Sequence, residues 1–225
     1  MAAMLYDLTY AAQFEVLRVW ISGLDADELE TPSALAGWTV ADLVGHLAGT
    51  GTTIAAVRAA PEDADPISVA TYVSNYAPSA EQIATIARDS AEQAGPALLE
   101  LLDRTNEEAM ANLTALGGTD RVVQSRRGPI LLSDFLDTRL MELVVHAGDL
   151  ARSLPDRKPP KVLSGAAWRV VAVMRELLAQ RAGDPVEALA AASALSVVDF
   201  IELGAGRRAA EGDLPVVLRE SLPLF

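Results

Sequence analysis

Apolar residues recur at spacings of three and four along almost every long segment of this sequence, which is the period of an amphipathic helix. The pattern predicts four long helices in succession, over about residues 3–22, 39–60, 79–116 and 133–154. Helices with one apolar face bury that face against one another. We therefore expect a mainly all-α fold built on a four-helix bundle.

Polar residues mark where three of these helices begin. Thr39 and Asp42 have the spacing of a capping box, in which each side chain accepts a hydrogen bond from the other residue's backbone N–H. Ser79 and Gln82 repeat this spacing, and Ser133 is predicted to cap the fourth helix.

The helical pattern is interrupted at two places. Proline lacks a backbone donor and kinks a helix, so Gly95-Pro96 predicts an irregularity in the third helix. In the connection before the fourth helix, Val122 to Gln124 predict a short extended piece.

Helical periodicity resumes after the polar, proline-bearing segment PDRKPPK, over about residues 162–182 and 186–203. We therefore divide the chain into a four-helix bundle, residues 1–157, and a C-terminal extension, residues 158–225. The extension is expected to be mostly helical and to pack on the bundle.

Charge and cysteine content exclude several classes of function. The chain has no cysteine, so it forms no disulfide, thiolate metal ligand or cysteine nucleophile. A net charge of −13 has the wrong sign for neutralising nucleic-acid phosphates, and no nucleic-acid partner is expected. Charged residues also interrupt every apolar run before the roughly 20 residues that a membrane span needs. With no secretory signal recognised at the N-terminus, we expect a soluble cytoplasmic protein without membrane partners.

The chain has two histidines, and each lies inside a predicted helix with a carboxylate one turn away. In MELVVHAGDL, Glu142 precedes His146 by four residues, so their Cβ atoms lie about 5 to 6 Å apart on one side of the helix. Two stripes run along this helix, a polar one of Thr138, Glu142, His146, Asp149 and Ser153 and an apolar one of Leu136, Leu140, Leu143, Ala147 and Leu150.

The other histidine, His46, lies in the second helix, within DLVGHLAG. Side chains from facing helices converge in the core of a bundle, which is how such folds build metal sites. His46, Glu142 and His146 are therefore candidate ligands of one divalent metal, with a fourth position open to water or substrate. Two imidazoles and one carboxylate suit zinc, and also iron(II) or nickel.

A ligating histidine usually donates its second ring N–H to a carboxylate or carbonyl. Asp42, one turn before His46, and Asp149, three residues after His146, are predicted for this supporting role. The alternative interpretation is structural, with Glu142 and His146 as an ordinary ion pair and Asp42 used by the helix cap.

Two motifs, GWTVADLVGHLAG and MELVVHAGDLARSL, resemble the mycothiol-dependent maleylpyruvate isomerase family of actinobacteria, within the DinB-like metal-dependent superfamily. The resemblance covers roughly residues 5–155 and implies a DinB-like bundle with a divalent metal, most often zinc, on His46, Glu142 and His146. It also implies that an arginine in a C-terminal Gly-Arg segment holds the substrate carboxylate. GAGRR is similar to that segment, which matches Arg207 to this catalytic role, with Arg208 as the alternative.

The activity implied by the resemblance uses an exogenous low-molecular-weight thiol, such as mycothiol, as cosubstrate. The metal deprotonates this thiol, and the thiolate attacks a small electrophilic substrate in a transferase or isomerase reaction. Two alternatives remain open: a non-catalytic protein that binds a small molecule or regulates, and a metal-dependent hydrolase with water in the open position. The residues leave the substrate and the oligomeric state undetermined.

Overall fold

Helices account for most of the structure, a computed structural model that describes residues 3–76, 80–117 and 119–225. The predicted cap at Ser79 lies outside these residues. The helices are α1 (Ala3–Ile21), α2 (Ala26–Glu30), α3 (Val40–Ala56), α4 (Val69–Ser74), α5 (Ala80–Ala94), α6 (Leu98–Leu116), α7 (Leu132–Ser153), α8 (Ser164–Arg181), α9 (Pro185–Ala192), α10 (Val197–Gly204) and α11 (Val216–Ser221). The predicted mainly all-α class is confirmed.

The bundle consists of α1, α3, the pair α5 and α6, and α7. Helix α3 packs against α5, α6 and α7, and α1 packs against α7 and α6. The predicted irregularity in the third helix is confirmed, because a 3-10 turn at Gly95–Ala97 separates α5 from α6. Gly95 has a φ of 48°, a backbone conformation that glycine adopts readily and that residues with a side chain rarely adopt.

Helix α3 begins as the sequence predicts and approaches its neighbours closely. The Thr39 hydroxyl accepts a hydrogen bond from the Asp42 backbone N–H at 3.1 Å, and Asp42 Oδ2 accepts one from the Thr39 N–H at 2.8 Å. Further along, Gly51 lets α3 lie against α6, since a Cβ there would come within 2.6 Å of the Thr105 carbonyl oxygen.

Helix α7 is buried on its polar stripe as well as on its apolar stripe. Leu143 and Leu150 are fully buried, and so are Thr138 and Asp149. Because α1, α3, α4 and α8 all pack against this helix, its polar side chains face other protein groups instead of bulk solvent. Such buried polar groups need partners within the protein.

The predicted cap of the fourth helix is wrong. Helix α7 begins one residue before Ser133, and Leu131 occupies the N-cap position without a side-chain hydrogen bond. Ser133 instead donates through its backbone N–H and its hydroxyl to the Asp120 carboxylate, at 3.0 and 2.8 Å. A carboxylate from the preceding loop therefore binds a free N–H group of the first turn.

A small antiparallel sheet lies between the helices, with strand order β1 (Arg58–Ala59), β2 (Val122–Ser125), β3 (Gly128–Leu131). Strand β2 confirms the predicted extended piece, whereas the sequence did not predict β1 and β3. The β2–β3 turn carries Arg126 and Arg127.

The extension begins with α8, which packs against α7, α1 and α4; α9 and α10 pack on α8, and α11 packs on α9. The helical stretch predicted over residues 186–203 is divided into α9 and α10. Ser196 caps α10, where its hydroxyl accepts a hydrogen bond from the Asp199 N–H. The domain boundary after residue 157 stays a prediction. Among the described helices, none combines the length and apolar composition that crossing a membrane requires.

Candidate metal centre

The three predicted ligands converge on one point between α3 and α7. His46 Nε2 lies 3.2 Å from Glu142 Oε2, and His146 Nε2 lies 3.3 Å from the same oxygen. The two imidazole rings meet edge to face, with their centroids 4.7 Å apart. One atom from each residue can therefore face the same small volume.

These distances fit a metal ion. Two ligands that each lie about 2 Å from a tetrahedral zinc are roughly 3.3 Å apart, which is the spacing of each histidine nitrogen from the carboxylate oxygen. All three ligand atoms lie within 4.8 Å of one another. The donor set of two nitrogens and one oxygen leaves a fourth position available and suits several first-row metals.

Asp149 fixes the orientation of His146. Its Oδ2 lies 2.8 Å from His146 Nδ1, so the imidazole donates its Nδ1–H to the carboxylate and turns Nε2 toward Glu142. Asp149 is fully buried, and its charge is balanced by Arg207 and Arg152, which donate to it at 2.6 to 3.0 Å. The position predicted for Asp149 therefore matches the support that a ligating histidine usually has.

Asp42 does not have the supporting contact predicted for it. Its Oδ2 accepts a hydrogen bond from the Thr39 backbone in the cap, which is the alternative that the sequence left open. The ring of His46 is held instead against Trp38, with centroids 5.7 Å apart at an angle of 75°. Packing against an aromatic ring thus orients this second histidine.

Burial and hydrogen bonding give the two histidines opposite protonation states in the metal-free protein. Burial lowers the pKa of His46, and the hydrogen bond to Glu142 offsets this only in part. Burial also opposes charge on His146, but hydrogen bonds to Asp149 and Glu142 outweigh it and raise the pKa of His146 to about 9. Burial acts to raise the pKa of Glu142, yet hydrogen bonds from His146 and His46 hold it well below its usual range. A metal ion would therefore displace one proton, from His146.

The site opens into a cavity of about 600 Å³, which we call the large cavity. All three candidate ligands line it, and so does Arg207. Most of the remaining lining residues are apolar: Leu35, Trp38, Val73, Ile83, Met141, Val145, Pro223, Leu224 and Phe225. Ser74, Tyr76 and Arg181 add polar groups to the walls. A volume of this size accommodates a small organic molecule beside the candidate metal position.

A family model described as the mycothiol maleylpyruvate isomerase N-terminal domain matches residues 10–151. This chain belongs to that family. The match spans more than half of the chain and includes His46, Glu142 and His146, and it confirms the resemblance predicted from the two motifs. Neither a curated protein nor a solved structure matches the chain.

In this member of the mycothiol maleylpyruvate isomerase family, Arg207 lies outside the matched residues and contacts the metal centre through Asp149. Its Nε and Nη2 donate to Asp149 at 2.9 and 3.0 Å, and its Nη1 donates to the Ala205 carbonyl at 2.9 Å. Each guanidinium nitrogen therefore has a protein acceptor. Substrate binding by Arg207 stays a prediction, while the alternative, Arg208, forms an exposed ion pair with Asp199.

Arg139 and Tyr76, which the sequence patterns did not indicate, lie beside Glu142. Arg139 is buried, its Nη2 donates to the Tyr76 hydroxyl, and it lies 3.7 Å from Glu142 Oε1. Burial raises the pKa of Tyr76 to about 12, so its hydroxyl stays protonated. One signal was available, because Arg139 precedes Glu142 by three residues and so shares its side of the helix.

Proposed function

We propose that this protein is a metal-dependent enzyme that uses a low-molecular-weight thiol such as mycothiol as cosubstrate in a transferase or isomerase reaction on a small electrophile. The observation that carries the proposal is the convergence of His46, Glu142 and His146 at tetrahedral ligand spacing on the wall of the large cavity. Membership of the mycothiol maleylpyruvate isomerase family supports the choice of thiol.

A bound divalent metal, which we take to be zinc, would supply the Lewis acidity that converts a thiol into a thiolate nucleophile at neutral pH. His46, Glu142 and His146 would hold it. The chain has no cysteine of its own, so the nucleophilic sulfur comes from a ligand. A cytoplasmic location suits this chemistry, because small thiols stay reduced there.

The surrounding residues fix the geometry of the ligands. Asp149 holds the Nδ1–H of His146, which leaves Nε2 as the ligating nitrogen. Arg207 and Arg152 neutralise Asp149 in turn, so its buried charge is compensated. The mostly apolar walls of the large cavity would pack against the apolar parts of a bound substrate.

The test is thiol dependence of turnover. Metal-reconstituted protein is assayed with maleylpyruvate and with a generic electrophile, each in the presence and absence of mycothiol. We expect the wild type to be active only when the thiol is present. His146→Ala should be inactive even with the thiol. Asp199→Asn, which alters an exposed ion pair of the extension, serves as the control and should keep full activity.

Other outcomes would overturn the proposal. Turnover that continues without thiol, with a pH profile set by a group that titrates near neutrality, would identify a metal-dependent hydrolase. A protein that binds metal and ligand but turns over no substrate with any thiol would be a binding or regulatory protein.

A further inference from the structure

A second cavity, of about 280 Å³, adjoins the candidate metal centre. It shares His46, Tyr76, Ile83 and Glu142 with the large cavity, so both cavities border two of the three candidate ligands. Its other walls come from α3, α5, α6, α7 and the β2–β3 turn. We call it the arginine cavity, because Arg126, Arg127 and Arg139 line it.

The arginine cavity is positively charged within a strongly acidic protein. Three guanidinium groups line it against one carboxylate, Glu142, whereas the whole chain carries a net charge of −13. Glu142 already bonds to both histidines. A cleft lined mainly by one sign of charge concentrates ligands of the opposite sign.

Arg127 has hydrogen-bonding capacity that the described residues do not use. Its guanidinium lies over the Tyr76 ring, with the central carbon 4.4 Å from the ring centroid, and its Nε is buried without a hydrogen-bond partner among the described residues. Stacking fixes the plane of the guanidinium, in which all of its N–H groups lie. No described residue accepts a hydrogen bond from its two terminal nitrogens, Nη1 and Nη2, which are therefore the donors offered to a ligand. Arg207 differs, since each of its nitrogens donates to a protein acceptor.

The other two arginines extend this positive surface. Arg139 is buried, and its closest Glu142 oxygen lies at 3.7 Å, beyond hydrogen-bond distance. Arg126 is exposed and donates to Gln82 Oε1 at 2.9 Å. Buried and exposed positive charges therefore line the same cavity.

We propose that the arginine cavity binds the carboxylate of the electrophilic substrate, with Arg127 as its principal donor. A planar carboxylate matches the paired, in-plane donors of a guanidinium. The thiol then occupies the large cavity, and the two substrates meet at the ligands that the cavities share. That the bound carboxylate belongs to a substrate rests on the proposed function. That the cavity binds an anion rests on the arginines alone.

The direct test is isothermal titration calorimetry with succinate on zinc-loaded and zinc-free protein. We expect the wild type to bind in both states, because the arginines do not depend on the metal. Arg127→Met should weaken binding about 10- to 100-fold, the loss expected for a charge-assisted hydrogen-bonded pair. Arg88→Met is the matched control, since it removes the same charge from an exposed position of α5 outside the cavity lining, and it should bind like the wild type.

Three results would overturn the proposal. If succinate binds only the zinc-loaded protein, it coordinates the metal and not the arginines. If Arg127→Met and the wild type bind succinate with equal affinity, Arg127 is not the donor. Inorganic phosphate bound as tightly as succinate would identify a general anion site instead of a carboxylate site. If Arg127→Met does not fold, Arg126→Met tests the same cavity and should weaken succinate binding several-fold.

The zinc-free titration separates this inference from the proposed function. If succinate binding depends on Arg127 but the protein shows no thiol-dependent turnover, the proposed anion site stands and the proposed enzymatic function is wrong. In an active enzyme, Arg127→Met should raise the KM of a carboxylate-bearing electrophile about tenfold and leave the KM of the thiol unchanged.

Discussion

Replacing Asp149 by asparagine separates two effects that the carboxylate has on the metal centre. Asp149 accepts the Nδ1–H of His146 at 2.8 Å and is itself held by Arg207 and Arg152. Asparagine keeps the size of the side chain and one oxygen acceptor but removes the charge. The variant should therefore hold His146 less firmly and make its imidazole a weaker ligand.

The first effect lowers metal affinity. Loss of a hydrogen-bonding partner behind a ligating histidine typically costs 10- to 100-fold, or about 1.4 to 2.8 kcal/mol. The second effect acts in the opposite direction. With a pKa of about 9, wild-type His146 is protonated at pH 7, and the proton competes with the metal by about 100-fold. Without Asp149 this competition decreases, because the pKa of His146 falls.

Together the two effects predict that the difference in zinc affinity between the wild type and Asp149→Asn depends on pH. Zinc dissociation constants are measured against a competing chelator at pH 7 and pH 9, with circular dichroism to verify helicity. At pH 9 Asp149→Asn should bind zinc about 10- to 100-fold more weakly than the wild type, and at pH 7 the gap should narrow. Asp199→Asn is the control and should show no gap. A difference in zinc affinity of equal size at both pH values, or no difference at pH 9, would contradict this role of Asp149.

Zinc binding to the wild type at pH 7 should release about one proton, measured by calorimetry in buffers of different ionisation enthalpy, because His46 is already neutral and His146 is not. The metal-free protein should lose stability as pH rises from about 6.5 to about 9, seen as a falling Tm, because folding raises the pKa of His146 above its unfolded value; a Tm constant over this window would contradict the assignment. Gly51→Ala should lower the free energy of unfolding by about 1 to 3 kcal/mol in urea titration, because its Cβ meets the Thr105 carbonyl. Gly49→Ala, whose Cβ meets nothing within 4 Å, should instead stabilise α3 by up to about 1 kcal/mol, and equal effects of the two substitutions would contradict the packing argument.

The spacing of residues within single helices was enough to predict much of the fold and of the candidate site. Thr39 and Asp42 form the capping box that their spacing predicts. Glu142 and His146 meet because residues four apart share one side of a helix, and His46 joins them because α3 packs on α7. In these cases the periodicity of a single helix, together with burial of its inward face, determines the arrangement.

Predictions failed where a residue distant in sequence competes for the same group. Ser133 does not cap α7, since Asp120 accepts both of its hydrogen bonds. Strand β1 has two exposed residues, and it exists because it pairs with β2, more than sixty positions later. No local pattern in the sequence contains these pairings.

The positions of the arginines were equally inaccessible from spacing. From sequence alone, an arginine is expected to be a solvated surface charge. In the structure Arg139 is buried against Tyr76, and Arg127 stacks on the same ring. Arg207 was matched to the substrate through the family, whereas the structure pairs it with Asp149. Tertiary packing decides which guanidinium has its donors occupied and which has donors available.

The metal content of the purified protein shows whether α3 and α7 share one metal ion. Untagged wild-type protein, His46→Ala and His146→Ala are analysed by inductively coupled plasma mass spectrometry, after circular dichroism has verified that each variant keeps its helicity. We expect about one equivalent of zinc or another first-row metal in the wild type and its loss from both variants. A wild type that binds no metal after reconstitution, or a variant that keeps its metal, would contradict a shared metal ion.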